Sequence, residues 1–402
     1  MQAANFIVRE PLLSSQERVL GYELTWQRNG VAAYQLDETD ANALVNLIGG
    51  QDNEIDVVNS DQVLFMEAHP ALLKADVYSL LPKHRTILAL RTADLVDGDA
   101  VAAARAMRVR GYGISLRDAD LAKVDQSLLS LFSHVELSID AADFDKQMQL
   151  YRSLELTALP LIARNVRDWD QYDRCAALGM DAFVGNLHLS PRPDERARDL
   201  NPAQTMIVQL MDMVKKGEDV RQLEGILKRD AALSYKLLRY INSAGFGLGC
   251  EIQSLRHAVT LLGYSPLYRW LALLLVTATN TDSSPVLLQT AVIRGRFAEL
   301  LGQAFLPRNE AENLFVAGMF SLLDRLLGIP MELVLEKVPL SGPVTEALLA
   351  REGIYGPFLA LAEACEVNTA EVASMATALC ISPKDVNIAH LSALTWVQNL
   401  RL

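Results

Sequence analysis

Short runs that are apolar on both faces recur through the first half of the chain. They lie at 5–13 (NFIVREPLL), 19–26 (VLGYELTW), 63–67 (VLFME), 86–91 (TILALR), 112–117 (YGISLR), 134–139 (HVELSI), 160–165 (PLIARN) and 182–186 (AFVGN). Parallel strands covered on both faces have this character. Helix-compatible stretches separate many of them, such as 93–110 (ADLVDGDAVAAARAMRVR) and 140–157 (DAADFDKQMQLYRSLELT). Strand–helix alternation predicts parallel strands joined by right-handed crossovers, and eight strands predict a TIM-like (β/α) barrel. Only SSQER separates the first two runs, which predicts an antiparallel hairpin.

The pattern changes near residue 200. The stretch 190–203 (SPRPDERARDLNPA) carries three prolines and a cluster of charges. Beyond it, twelve segments have helical spacing, among them Ala231–Ser243, Leu267–Thr279, Glu310–Leu327 and Pro383–Arg401. Pro285 and Pro383 each follow a serine and suit the first turn of a helix. The expected organisation is a barrel domain over 1–192, a linker over 193–203 and an all-helical domain over 204–402. No fixed-period repeat marks a solenoid.

Composition narrows the classes. The 402 residues have a net charge of −12; residues 1–200 carry 20 basic and 30 acidic side chains, and 201–402 carry 17 and 19. An acidic first half repels phosphate backbones, so no nucleic-acid partner is expected. Cys175, Cys250, Cys365 and Cys380 form no Cys-x-x-Cys pair, and reduced, mostly buried thiols are the plain reading. The amino terminus has no signal-peptide core, and Trp270–Ala278 is far shorter than the roughly 20 residues of a membrane helix. The expectation is a cytoplasmic protein with no membrane span.

Two groups of residues carry a family resemblance. Arg9-Glu-Pro-Leu and Val19-Leu-Gly-Tyr-Glu-Leu-Thr-Trp26 resemble the opening of EAL-type cyclic di-GMP phosphodiesterases. Ala163-Arg-Asn-Val-Arg167, Leu178-Gly-Met-Asp-Ala-Phe-Val-Gly185 and Ser190-Pro191 resemble that family's closing strands. The likeness covers roughly residues 4–192. It implies two divalent cations held by carboxylates and an amide, which activate water against a phosphodiester. At the implied positions this chain has Glu23, Glu67 for an asparagine, Ala89 and Thr92 for glutamates, Arg117-Asp118 for paired aspartates, Glu136 for a lysine, Arg167 for a glutamate and Val184 for a glutamine. Only Glu23 and Asp118 are retained. Their plain reading is an internal ion pair with Arg117 or Arg91. A sharper one is a dinucleotide receptor in which strand-end arginines clamp phosphates.

The second half resembles the HDOD domain, a helical relative of HD phosphohydrolases. Leu227-Lys-Arg-Asp-Ala-Ala-Leu-Ser-Tyr-Lys-Leu-Leu-Arg-Tyr-Ile-Asn-Ser243 and Ile252-Gln-Ser-Leu-Arg-His-Ala-Val-Thr-Leu-Leu-Gly263 carry the likeness. None of the six histidines precedes an aspartate, and only His257 and His390 fall in this half, too few for an HD metal site. Gly245-Phe-Gly-Leu-Gly249 follows a helix rather than a strand, so it reads as a turn and not a phosphate loop. The whole chain resembles the two-domain EAL–HDOD signalling proteins (YuxH-like). The resemblance implies a degenerate phosphodiesterase fold serving cyclic di-GMP signalling through contacts with signalling proteins. On this reading the chain is not an enzyme, and it has no catalytic residues, metal or cofactor. Binding of cyclic di-GMP is not expected. The alternatives are a cyclic di-GMP phosphodiesterase and a degenerate cyclic-dinucleotide receptor.

Overall fold

The computed structural model describes residues 5–28, 31–33, 37–49, 62–74, 76–117, 125–140, 144–153, 159–190, 200–242, 251–278, 284–367 and 369–400. Asp118, Ser243, the turn at 245–249, Cys250 and residues 193–199 of the expected linker lie outside them. The chain divides into two compact units, Met1–Ser190 with Cys365–Ala370, and Pro191–Ala364 with Glu371–Leu402.

Among the described residues, nine strands build the first unit: β1 Phe6–Ser14, β2 Val19–Arg28, β3 Val31–Ala33, β4 Val63–Glu67, β5 Thr86–Arg91, β6 Gly113–Arg117, β7 His134–Ser138, β8 Leu161–Arg164 and β9 Ala182–Val184. Their order is β1-β9-β8-β7-β6-β5-β4-β2-β3, and β1 also pairs with β2, which closes an eight-strand barrel with β3 outside the ring. From β2 and β4 round to β9 the pairings are parallel; β1 runs antiparallel to both β2 and β9. The expected opening hairpin is present. Glu17 takes the left-handed conformation (φ 60°) in its turn, and the Ser14 hydroxyl accepts N–H bonds from Gln16 and Arg18.

Among the described residues, four α-helices accompany these strands: α1 Glu38–Gly49, α2 Gly98–Val109, α3 Phe144–Ser153 and α4 Trp169–Ala177. The helical stretch expected over 93–110 is interrupted. A 3-10 turn over Thr92–Leu95 comes first, and then the Asp97 carboxylate accepts the Asp99 N–H and starts α2. Val96 closes the turn, and Asp97, in extended conformation, caps α2. Leu12, Phe65, Ile87, Ile162, Ala182 and Val184, contributed by five strands, pack together as a buried apolar layer. Alternation along each strand places the next inward residues above this layer.

The second unit is helical: α5 Pro202–Lys216, α6 Val220–Leu227, α7 Ala231–Ile241, α8 Leu255–Leu262, α9 Tyr264–Thr277, α10 Pro285–Gly302, α11 Arg308–Phe320, α12 Leu323–Leu327, α13 Met331–Lys337, α14 Gly342–Ala350, α15 Gly356–Val367, α16 Val372–Ala378 and α17 Pro383–Asn399. The last three residues of α15 are grouped with the first unit. α10 is buried on almost every side and packs against α11 and α17. At the α10–α11 crossing a Cβ on Gly318 would lie 2.6 Å from Gly295 Cα, so two glycines let the backbones touch. The single helix expected over Glu310–Leu327 breaks into α11 and α12. The Ser321 hydroxyl donates to the Gly318 carbonyl at 2.7 Å and accepts from Arg294 Nη1 at 2.8 Å, which anchors the break. Among the described residues, no helix is long and apolar enough to cross a membrane.

Candidate functional site

Glu23 on β2, Glu67 on β4, Arg91 on β5, Arg117 on β6, Glu136 on β7 and Arg164 on β8 converge above the apolar layer. β6 and β8 are not neighbours of β2 in the ring, so side chains that join them must cross the interior. They do so at short range. Arg117 Nη2 lies 2.6 Å from Glu23 Oε1, and Arg164 Nη1 donates to Glu23 Oε2 at 2.6 Å. Both arginines also reach the same oxygen of Glu136: Arg117 Nε at 3.0 Å and Arg164 Nη1 at 2.9 Å. Glu67 sits at the margin, 3.3 Å from Arg91 Nη2 and 3.9 Å from Arg117 Nη1.

Among the described residues that pair at these distances, three carboxylates (Glu23, Glu67, Glu136) face three guanidiniums (Arg91, Arg117, Arg164). Arg117 is 1% exposed and Glu136 is fully buried, so each requires the other to offset its lost hydration. Burial alone would raise the Glu136 carboxyl. The charges of Arg117 and Arg164 outweigh burial and hold it below the usual carboxylate range. Glu67 goes the other way. Burial raises it to about 7, against the more distant Arg117 and Arg91. A carboxyl that titrates near neutrality can take or give a proton under physiological conditions.

The other positions singled out in the sequence are scattered. Ala89 is buried directly across from Glu67 in the β4–β5 register. Val184 belongs to the apolar layer beneath the network. Thr92 opens the 3-10 turn after β5. Arg167 reaches the surface, where it pairs with Asp140 at 2.7 Å. Asp118 lies outside the described residues. Arg164 escaped notice as a site residue, although Ile162 and Arg164 share a strand face, and that parity points both inward. In the second unit, His257 lies in the first turn of α8, where the Ser254 hydroxyl takes its N–H, and His390 stacks on Phe297 at 4.7 Å.

The carboxylates do not fit the pair of divalent cations that the EAL resemblance implies. Both Glu23 oxygens and Glu136 Oε2 face guanidiniums, and among the described residues no group of three or more His, Cys, Asp or Glu could hold a metal ion. A cation would have to displace two buried arginines to gain ligands.

Comparison with known proteins adds three findings. The HDOD domain family matches residues 200–329. Over nearly its whole length the chain is similar to the cyclic di-GMP phosphodiesterase CdgJ of Vibrio cholerae serotype O1. The two are 25% identical over 404 residues, covering 98% of this chain and 93% of the relative. It is likewise similar to the uncharacterized protein YuxH of Bacillus subtilis strain 168, at 24% over 408 residues and 98% of each chain. Among solved structures it is similar to the PaMucR phosphodiesterase in its c-di-GMP complex, at 14% identity, TM-score 0.36, 47% of this chain and 93% of that one. A standalone EAL protein from Vibrio cholerae O395 in its c-di-GMP-bound form matches at 12% identity, TM-score 0.34, 46% of this chain and 91% of that one.

One expectation is corrected here. The altered strand-end residues suggested that the chain is not an enzyme, yet a relative collinear with 98% of it is named a phosphodiesterase. Substituted ligand positions are therefore no sufficient ground for excluding a reaction.

Proposed function

We propose that this chain is a two-domain EAL–HDOD protein of cyclic di-GMP signalling whose barrel meets the cyclic dinucleotide at the strand ends around Glu67 and Arg91. The observation that carries the reading is similarity along the full chain to a protein named for acting on cyclic di-GMP. The geometry supports it with a carboxyl raised to about 7 beside a partly exposed guanidinium, a pairing able to hold a phosphate oxygen and move a proton. Calorimetric titration of the full chain with cyclic di-GMP tests binding, and chromatography of the same mixture with Mg²⁺ or Mn²⁺ tests hydrolysis. Saturable heat that weakens in Arg91→Gln, together with a linear dinucleotide product, is the expected result. The absence of both heat and product would refute it.

A second reading, regulation through contacts with other signalling proteins, is favoured by the engagement of Glu23 and Glu136 by Arg117 and Arg164. Affinity capture from the native host separates it from the first: a specific partner retained by Arg91→Gln favours contact, and one released by cyclic di-GMP joins the two readings.

A further inference from the structure

The second unit contains a cavity of about 500 Å³ bounded by α8, α9, α10 and α11. Arg269, Trp270, Arg296, Glu299, Arg308 and Glu312 are among its lining residues. The volume falls in the range of small-molecule sites, roughly 300–1,000 Å³.

Its charge arrangement is unusual for a helical interior. Glu299 is a single buried carboxylate serving two arginines. Arg269 grips it with both terminal nitrogens, at 2.6 and 2.7 Å, and Arg296 Nη1 donates to the same carboxylate at 2.8 Å. One pair would balance; the second guanidinium is surplus. Arg308 and Glu312 form a further pair at 3.5 Å, with the Arg308 side chain 94% exposed, so the five groups together carry one net positive charge. The excess sits within a chain whose net charge is −12.

Both guanidiniums are partly buried, with side chains 11% (Arg269) and 22% (Arg296) exposed, and both are held in place. Arg269 Cζ stacks 4.0 Å from the centre of the Phe315 ring, and Arg296 Cζ lies 5.4 Å from that of Trp396. Arg296 Nε is buried and has no hydrogen-bond partner. Burial lowers Arg269 despite Glu299, and the Arg296 charge lowers it further, as expected where positive charge exceeds its local compensation. A fixed, under-compensated guanidinium beside an open cavity is complementary to an oxyanion.

We propose that this cavity binds a small molecule bearing a phosphate group, with Arg296 as its principal ligand, Arg269 fixed behind it by Glu299, and Arg308 drawing the anion in from solvent. The site lies within the region matched by the HDOD family, and its lining residues all belong to the second unit.

Titration calorimetry of the full chain with inorganic phosphate tests it, with guanosine monophosphate as a larger phosphate probe and acetate as a carboxylate control. Saturable phosphate binding is expected. It should weaken about tenfold or more in Arg296→Gln, which loses a charge-assisted contact, and about threefold in Arg308→Gln, with a shallower salt dependence. The Arg308 side chain is too exposed for its replacement to unfold the unit, so this variant keeps the test valid if Arg296→Gln fails to fold. Absence of saturable heat, equal binding of acetate, or unchanged phosphate affinity in Arg308→Gln with either loss of fold or unchanged affinity in Arg296→Gln would overturn the proposal.

Discussion

Replacing Arg117 by methionine tests the physical account of the barrel most directly. The substitution keeps much of the volume and removes the cation that faces Glu23 at 2.6 Å, Glu136 at 3.0 Å and Glu67 at 3.9 Å. Two arginines then face three carboxylates, and one buried negative charge is left over. With an effective dielectric constant near 20, each close pair is worth about 4 kcal/mol of attraction before desolvation. Protonation of one glutamate limits the loss, and breaking one side of a buried pair typically costs about 3–5 kcal/mol. That range is the expected destabilisation at pH 7.5. The sign with pH follows from Glu136. Its pKa in the folded protein is depressed, so its stabilising contribution is present above the ordinary carboxylate pKa and fades as pH falls through the folded value. The deficit of Arg117→Met should therefore shrink on acidification. Hydrogen exchange with mass spectrometry, read on peptides from β2, β6 and β7, measures the opening free energy of the barrel separately from the helical unit. Adding Glu136→Leu restores neutrality and should recover most of the loss. A single variant less than about 1 kcal/mol weaker, or a double variant no better than the single, would refute the reasoning.

Three further outcomes are expected. Glu67 is raised by burial to about 7, so the stability tied to its protonated form is complete below the ordinary carboxylate pKa and is lost as pH rises through about 7. Glu67→Gln should flatten barrel stability over that window, by up to about 3 kcal/mol in urea melts at stepped pH. Gly318→Ala forces a methyl group against Gly295 and should destabilise the helical unit by about 1–3 kcal/mol, seen as a lower melting temperature with unchanged helical circular dichroism at 20–25 °C. Cys365 is buried, and its thiol is raised to about 12 chiefly by burial, whereas Cys380 is exposed. Iodoacetamide mapping should modify Cys380 well before Cys365.

Much of the barrel could be read from the chain because its strands are short, doubly apolar and punctuated. The runs at 63–67 and 86–91 coincide with β4 and β5. β3 and α1 were missed; a three-residue edge strand has too little pattern to detect. In the helical half, α9 begins at Tyr264 rather than Leu267 because Pro266 sits in the first turn, where its missing N–H costs nothing. The site was only partly legible. Glu23 and Arg117 were singled out for their positions, but Arg164, which ties Glu23 to Glu136, lay unremarked beside the more conspicuous Arg167. Telling the two apart requires knowing where β8 ends: Arg164 is its last inward residue, while Arg167 is three residues past the strand, on the surface. Glu67 was singled out only as the residue at an implied asparagine position. Its raised titration depends on distances to Arg91 and Arg117 that only the closed ring sets.

The antiparallel β1 imposes an order on events during synthesis. Its pairing with β2 needs only a local turn and can form within microseconds. Its other edge pairs Leu12 with Val184, Leu13 with Phe183 and Ser14 with Ala182, about 170 residues downstream. A ribosome adding about 5–20 residues per second takes on the order of ten seconds or more to supply that partner. For that interval the hairpin carries an unsatisfied edge, open to other chains. Closure of the barrel is thus a late step that joins the two ends of the unit. A circular permutant that links Ser190 to Asn5 and opens the chain within a surface loop would make that pairing local and shorten the vulnerable period.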